Sequence, residues 1–227
     1  MRLLLWDVDG TLVTARGAGR RALARALTAV FGTAGAIDAY DLRGATDRAI
    51  VHDVMTGAGF DATAVRARLD DCFEAYAREL ASELGDGQGI VVLPGVAEVI
   101  RRLDGHPGAL LGLLTGNIEE GARLKLAPSG LWPYFRTGAF GSDDADRRRL
   151  PSLAARRAHA LVGYAFRPHE VVVIGDTPRD VECARAFGAV AVAVASGMCS
   201  RDELAATSPD LLLDDLADVD AAISALL

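Results

Sequence analysis

The chain has 227 residues, of which 51% are hydrophobic and 24% charged, enough for one globular domain with a smaller insertion. Its formal net charge of −7 argues against a nucleic-acid-binding protein, which would carry a basic surface. The three cysteines are widely spaced and no hydrophobic window is long enough to cross a membrane, so we expect a cytoplasmic protein with reduced thiols and no membrane partner.

The first predicted element is a short buried strand over 3–6, and the long segment after it contains only helical patterns. Residues 15–89 carry three amphipathic stripes and no strand pattern. The glycine-rich stretch 85–89 predicts a flexible hinge at the end of this segment. We therefore expect an all-helical cap domain over 15–89, inserted into a core made of 1–14 and 90–227.

From residue 90 onward, predicted strands and helices alternate. Helices are expected after Pro94, Pro151 and Pro178, and Ser200 with Glu203 forms a capping box that begins another. The strands are 109–115, 171–175 and 190–195, with weaker candidates at 137–141 and 211–213. This alternation predicts an α/β fold with a three-layer, Rossmann-like parallel sheet.

The sequence Asp7-Val8-Asp9-Gly10-Thr11 directly follows the first predicted strand. Because side chains alternate along a strand, Asp7 and Asp9 point the same way. An open α/β sheet binds its ligand at the carboxyl ends of its strands, and carboxylate oxygens suit Mg²⁺. The pair therefore predicts a metal-bound carboxylate nucleophile with a second acid beside it.

Polar residues also follow two later strands, at the same edge of the predicted sheet. Thr115-Gly116-Asn117 offers a hydroxyl and backbone N–H groups at a helix start, which suits a phosphate. Asp176 follows the strand 171–175 and is expected to face the same crevice as Asp7. Asp180 lies in the first turn of the next helix, where an acid also complements the helix dipole.

Together these motifs resemble the haloacid dehalogenase-type superfamily of phosphotransferases, which carries a helical cap at the same place in the chain. The resemblance implies that Asp7 is the nucleophile that forms an aspartyl-phosphate and that Asp9 is the general acid and base. The metal ligands it implies are Asp7, the Asp9 carbonyl, Asp176 and Asp180. The phosphate cradle it implies is Thr115, Gly116 and Asn117.

The chain departs from this family at the third motif, which is usually a lysine. Arg147 is the best positional match and Arg148 the second, and the sequence leaves open which of them replaces the lysine. Arginine also offsets negative charge, and its fork makes several hydrogen bonds. Lys125 is expected to lie too early, on a helix, to serve.

The predicted cap contains Gly44-Ala45-Thr46-Asp47, which resembles a loop of phosphoglycolate phosphatase-like members of the family. Thr46 and Asp47 are therefore candidate substrate-binding residues, although the same pair also suits an ordinary helix N-cap with an acid in the first turn. Arg20 and Arg43 are further candidates for a substrate carboxylate.

These features predict a Mg²⁺-dependent phosphatase that hydrolyses a small phosphorylated metabolite and acts as a monomer or homodimer. A phosphomutase or a haloacid dehalogenase on the same fold are alternatives, and Asp9 argues against the second because dehalogenation does not need that acid. A catalytically idle binding protein is the third alternative, supported by the missing lysine.

Overall fold

A six-stranded parallel sheet forms the centre of the computed structural model, which describes residues 1–227. In chain order the strands are β1 (Arg2–Trp6), β2 (Val13–Thr14), β3 (Val91–Val92), β4 (Ala109–Leu114), β5 (Thr137–Ala139), β6 (Val171–Gly175), β7 (Val190–Val194) and β8 (Leu211–Leu213). The sheet order is β5-β4-β1-β6-β7-β8, and every neighbouring pair is parallel. The α/β fold class predicted from the sequence is confirmed.

Ten α-helices accompany the strands. They are α1 (Ala18–Phe31), α2 (Asp47–Gly57), α3 (Ala62–Ala67), α4 (Leu69–Leu84), α5 (Val96–Leu103), α6 (Glu119–Leu126), α7 (Leu150–Val162), α8 (Pro178–Phe187), α9 (Arg201–Ala206) and α10 (Val219–Leu226). No helix among them combines the length and the apolar character needed to cross a bilayer.

The sheet separates two hydrophobic cores. In β1, Leu4 and Trp6 belong to the core that includes α5 and α10, whereas Leu3 and Leu5 belong to the core that includes α7 and α8. All four side chains are fully buried, as expected for a central strand covered on both faces. Burial of both faces fixes the register of β1, because a slip of one residue would exchange the two sets of side chains.

The segment between β2 and β3 contains four helices, joined by turns and loops, and no strand. These four helices, α1 to α4, share a third hydrophobic core. The two short strands that flank them pair antiparallel, with Val13 opposite Val92, and so bring the entrance and exit of the segment side by side. Sequence patterns missed this pair because two residues are too few to show a period. The cap boundaries at 15 and 89 stay a prediction.

Candidate active site

The candidate site lies where β1, β4 and β6 end. Asp7 follows β1, Thr115 follows β4 and Asp176 follows β6, and all three side chains are buried. Carboxylate oxygens of Asp7, Asp176 and Asp180 lie within 4.8 Å of one another. The structure thus brings Asp7, near the start of the chain, together with two acids that lie close to each other much later in the sequence.

Gly10 and Thr11, in the turn after β1, lie directly against Asp176. Gly10 has φ of +81°, and a Cβ at this position would lie 2.3 Å from Asp176 Oδ2. Only glycine therefore allows this turn and this approach. The Thr11 hydroxyl donates to Asp176 Oδ1 at 3.2 Å, so the residues after Asp9 position the acid of another strand.

Arg147 is the cation that contacts two of the three acids, Asp7 and Asp180. It opens a short 3-10 turn, Arg147–Arg149, that leads into α7, and its side chain is buried. Its Nη2 lies 2.5 Å from Asp180 Oδ1 and 3.2 Å from Asp7 Oδ1. Arg148 is exposed and pairs with Asp146 at the surface. Of the two arginines that the sequence left open, Arg147 lies in the site.

The acids carry more negative charge than Arg147 offsets. Burial raises the pKa of Asp7, and Asp180 and Asp9 raise it further, although Arg147 opposes them. Burial also raises the pKa of Asp176, with Asp7 and Asp180 adding to the effect. One guanidinium pairs with two of the three buried carboxylates, so net negative charge remains in the cluster, and an all-oxygen donor set suits Mg²⁺.

Asp9 occupies a different environment from Asp7. Its side chain is 44% exposed, and its Oδ2 accepts from Lys125 Nζ at 2.5 Å and from Asn117 Nδ2 at 2.9 Å. Lys125 is not the cation beside Asp7, a place that Arg147 takes, but it does reach the site, which the sequence did not predict. Lys125 lies on the buried side of α6 with Ala122 and Leu126, and this side faces the site. The spacing of these three residues was the signal available in the sequence.

Thr115 and Asn117 form a connected pair at the end of β4. The Thr115 hydroxyl oxygen accepts from the Asn117 backbone N–H at 3.3 Å and from its side-chain Nδ2 at 2.8 Å. Because both bonds use the oxygen as acceptor, the hydroxyl hydrogen stays free to donate. The Asn117 side chain is bonded inside the protein, to Asp9, Thr115 and Lys125.

Thr46 and Asp47 form hydrogen bonds with loops at the edge of the central sheet. The Asp47 carboxylate accepts from the Ile118 N–H at 2.7 Å, and the Asp47 N–H donates to the Gly116 carbonyl at 2.7 Å. The Thr46 hydroxyl donates to the Ala145 carbonyl at 2.9 Å and also caps α2. Both side chains are buried by these contacts, so they join the helical segment to the loops that carry the site.

Arg20 and Arg43, the candidates for a substrate carboxylate, already have partners within the protein. Arg20 donates to the carbonyls of Ile37 and Tyr40, within the helical segment. Arg43 pairs with Asp41 and lies 3.8 Å from Glu203, an acid of α9. In this arrangement, neither guanidinium is free for a substrate carboxylate.

Known proteins resemble this chain over most or all of its length. The model of the haloacid dehalogenase-like hydrolases matches residues 1–188. The phosphoglycolate phosphatase of Synechococcus elongatus is 31% identical over 234 residues, which cover 100% of this chain and 99% of that protein. Phosphoglycolate phosphatase 1 of Pseudomonas aeruginosa is 27% identical, over 96% of this chain and 78% of that protein. The crystal structure of a hydrolase from Pseudomonas syringae shares the fold, with a TM-score of 0.70 and 21% identity over 100% and 99% of the two chains.

Proposed function

The chain belongs to the haloacid dehalogenase-like hydrolases, and from that premise we propose that it is a Mg²⁺-dependent phosphatase of small phosphomonoesters. The observation that carries the proposal is the difference between the surroundings of Asp7 and those of Asp9. The Asp7 side chain is 6% exposed beside Arg147, whereas Asp9 is 44% exposed and its Oδ1 makes no hydrogen bond to the protein. Two carboxyl groups in such different surroundings suit two different chemical roles.

In the first step, a carboxylate oxygen of Asp7 bonds to phosphorus while the bond from phosphorus to the leaving oxygen breaks. Asp9 gives its proton to that oxygen, and the alcohol departs. In the second step, the Asp9 carboxylate takes a proton from a water molecule whose oxygen bonds to phosphorus. The bond between Asp7 and phosphorus then breaks, inorganic phosphate leaves, and both acids return to their first state.

The phosphoryl group needs donors and positive charge around it. Thr115 offers its free hydroxyl hydrogen, and the backbone N–H of Gly116 follows it. The next two N–H groups, of Asn117 and Ile118, already donate within the protein. Mg²⁺ would be held by Asp7, Asp176 and the Asp9 carbonyl, with Asp180 beside them, and when bound it neutralises charge between these acids and a phosphate dianion. Asp180 also accepts from the Thr177 N–H and hydroxyl, which fixes its orientation.

The similarity to phosphoglycolate phosphatases supports phosphoglycolate, or another small phosphorylated metabolite, as substrate. We place the enzyme in the cytoplasm, where its three free cysteines, all buried, would stay reduced, and we expect a monomer or homodimer. The helical segment docked over the site would exclude water from the first step.

Phosphate release from a panel of small phosphomonoesters, phosphoglycolate included, tests this proposal. With Mg²⁺ the protein should release phosphate, and Asp7→Asn should abolish turnover while its melting temperature stays close to that of the original protein. Asp38→Asn, at an exposed acid of the helical segment, is the matched control and should keep full activity. Turnover retained by Asp7→Asn would exclude Asp7 as nucleophile, and the absence of phosphate release from every ester would exclude the activity.

A further inference from the structure

Lys125 is a buried cation with no role in the chemistry described so far. Its side chain is 4% exposed, and its Nζ lies 2.5 Å from Asp9 Oδ2 and 2.6 Å from Asn117 Oδ1. On the buried side of α6 its neighbours are Gly121, Ala122 and Leu126, where packing alone would favour an apolar side chain. Burying an ammonium group is unfavourable unless its partners compensate, so these two polar contacts account for its place in the core.

The two contacts act on one oxygen of Asp9. Oδ2 accepts both from Lys125 and from Asn117 Nδ2, while Oδ1 has no hydrogen bond to the protein. Because Lys125 also donates to Asn117 Oδ1, the side chains of Asp9, Lys125 and Asn117 form a closed ring of hydrogen bonds. Thr115 accepts from Asn117 Nδ2 and holds the ring from outside. Two donors on the same oxygen fix the rotation of the carboxyl group and leave the other oxygen free.

We propose that Lys125 is a positioning residue that fixes Asp9 through Oδ2, so that Oδ1 is the atom that passes a proton to the leaving oxygen. The inference rests on the proposed phosphatase function and adds to it a residue to which the resemblance to the family assigned no role. In the transfer to Asp7, the Oδ1–H bond of Asp9 breaks and a new O–H bond forms on the departing alcohol. Arg147 and Lys125 thereby serve different acids, the first Asp7 and the second Asp9.

A comparison of two leaving groups separates positioning from a structural role. 4-Nitrophenolate is a weak base and leaves without a proton, whereas an alkoxide needs one, so a misplaced Asp9 harms an alkyl phosphate more than 4-nitrophenyl phosphate. The kcat/KM value reports the steps up to the transfer to Asp7, so the shared hydrolysis of the intermediate does not enter it. We expect Lys125→Met to lower kcat/KM about 100-fold for an alkyl phosphate and less than about tenfold for 4-nitrophenyl phosphate.

Two further variants complete the experiment. Lys125→Arg keeps a charged donor and should restore most of the activity toward alkyl phosphates, and Lys125→Gln, with a neutral donor, should fall between Arg and Met. Lys125→Gln serves in place of Lys125→Met if the latter does not fold. Arg123→Met, at an exposed position of α6 that pairs with Glu120, is the matched control and should behave as the original protein.

The failure of this inference differs from the failure of the proposed function. If the original protein releases phosphate and Lys125→Met loses the same factor with both substrates, together with a lower melting temperature, Lys125 is structural and the inference is wrong. If the original protein hydrolyses neither ester with Mg²⁺, the proposed function is wrong and the inference falls with it.

Discussion

Arg147 Nη2 lies 3.2 Å from Asp7 Oδ1, and Nη1 of the same guanidinium lies 3.3 Å from the carbonyl of Gly44. Asp7 follows the first strand of the sheet, whereas Gly44 belongs to the helical segment that covers the site. One side chain therefore touches the proposed nucleophile and the segment docked above it. A lysine, with a single nitrogen, would not span both contacts, so the arginine gives this chain a link that a lysine would lack.

Replacing Arg147 by methionine should damage both stability and activity. The change leaves Asp7 and Asp180 buried beside one another without their shared cation. Removing one partner of a buried ion pair costs about 3–5 kcal/mol of the free energy of unfolding. Arg147→Lys keeps the charge and loses the bond to Gly44, so it should retain the fold and part of the activity. Urea denaturation and phosphate release measure the two effects.

The neighbouring arginine provides the control for this prediction. Arg148 is exposed and pairs only with Asp146, so Arg148→Met should change the free energy of unfolding by no more than about 0.5 kcal/mol. Equal losses of unfolding free energy in Arg147→Met and Arg148→Met would show that the contacts of Arg147 with the acids do not stabilise the protein.

Mg²⁺ should stabilise the protein more strongly as the pH rises. Burial and mutual repulsion raise the pKa of Asp7 and Asp176 in the metal-free protein, so the folded state holds protons that the unfolded state releases. The resulting stability is complete below the ordinary carboxyl pKa and is lost as the pH rises through the raised values. Mg²⁺ binding requires the ionised acids and is therefore favoured at higher pH. Melting temperatures with Mg²⁺ and with a chelator, between pH 5.5 and 8, measure this difference.

Asp176→Asn tests whether Asp176 is responsible for the Mg²⁺ effect and its pH dependence. The variant should be less destabilised by rising pH without metal and should show little stabilisation by Mg²⁺. Asp104→Asn, at an exposed acid after α5, should behave like the original protein. A Mg²⁺ effect of the same size in Asp176→Asn would place the ion elsewhere.

The sequence predicted the strand ends of this site better than its contacts across elements. Asp7, Thr115 and Asp176 were found because the carboxyl ends of parallel strands meet at one edge, whatever the details of packing. The contact of Lys125 with Asp9 depends on how α6 is rotated against the sheet, which the loop after β4 decides. The bonds of Asp47 to the core depend on the docking of the whole helical segment, and no local pattern encodes that docking.

A glycine of the phosphate cradle should control the docking of the helical segment. A Cβ on Gly116 would lie 1.9 Å from the Ala45 carbonyl oxygen, which is backbone and cannot move aside alone. Gly116→Ala should therefore hold the segment away from the core and lower kcat/KM at least tenfold, because closure shields the reaction from water. Gly57→Ala is the matched control, since its Cβ would meet nothing within 4 Å. It should leave activity unchanged and change stability by no more than about 1 kcal/mol. Full activity in Gly116→Ala would show that this close approach is not needed.

The docking of the helical segment should also weaken as the pH rises toward neutrality. Burial raises the pKa of Asp47 from 3.8 to about 7 in the docked arrangement, against the opposing effects of the Ile118 N–H and of Lys125. The docked state then binds the proton of Asp47 more tightly than an open state in which water surrounds the carboxyl group. Docking is strongest below pH 3.8 and weakens up to about pH 7, by at most about tenfold per pH unit.

Hydrogen exchange of the Ile118 amide measures this effect, because that N–H donates to the Asp47 carboxylate across the interface. After correction for intrinsic exchange, its protection should fall between pH 5 and pH 7. Asp47→Asn keeps an oxygen acceptor of the same shape and cannot ionise, so protection in this variant should not depend on pH. Asp70→Asn, at an exposed position of α4, should reproduce the pH dependence of the original protein. Protection that is constant or rises with pH in the original protein would show that Asp47 stays ionised at the interface, held there by Lys125 and the Ile118 N–H.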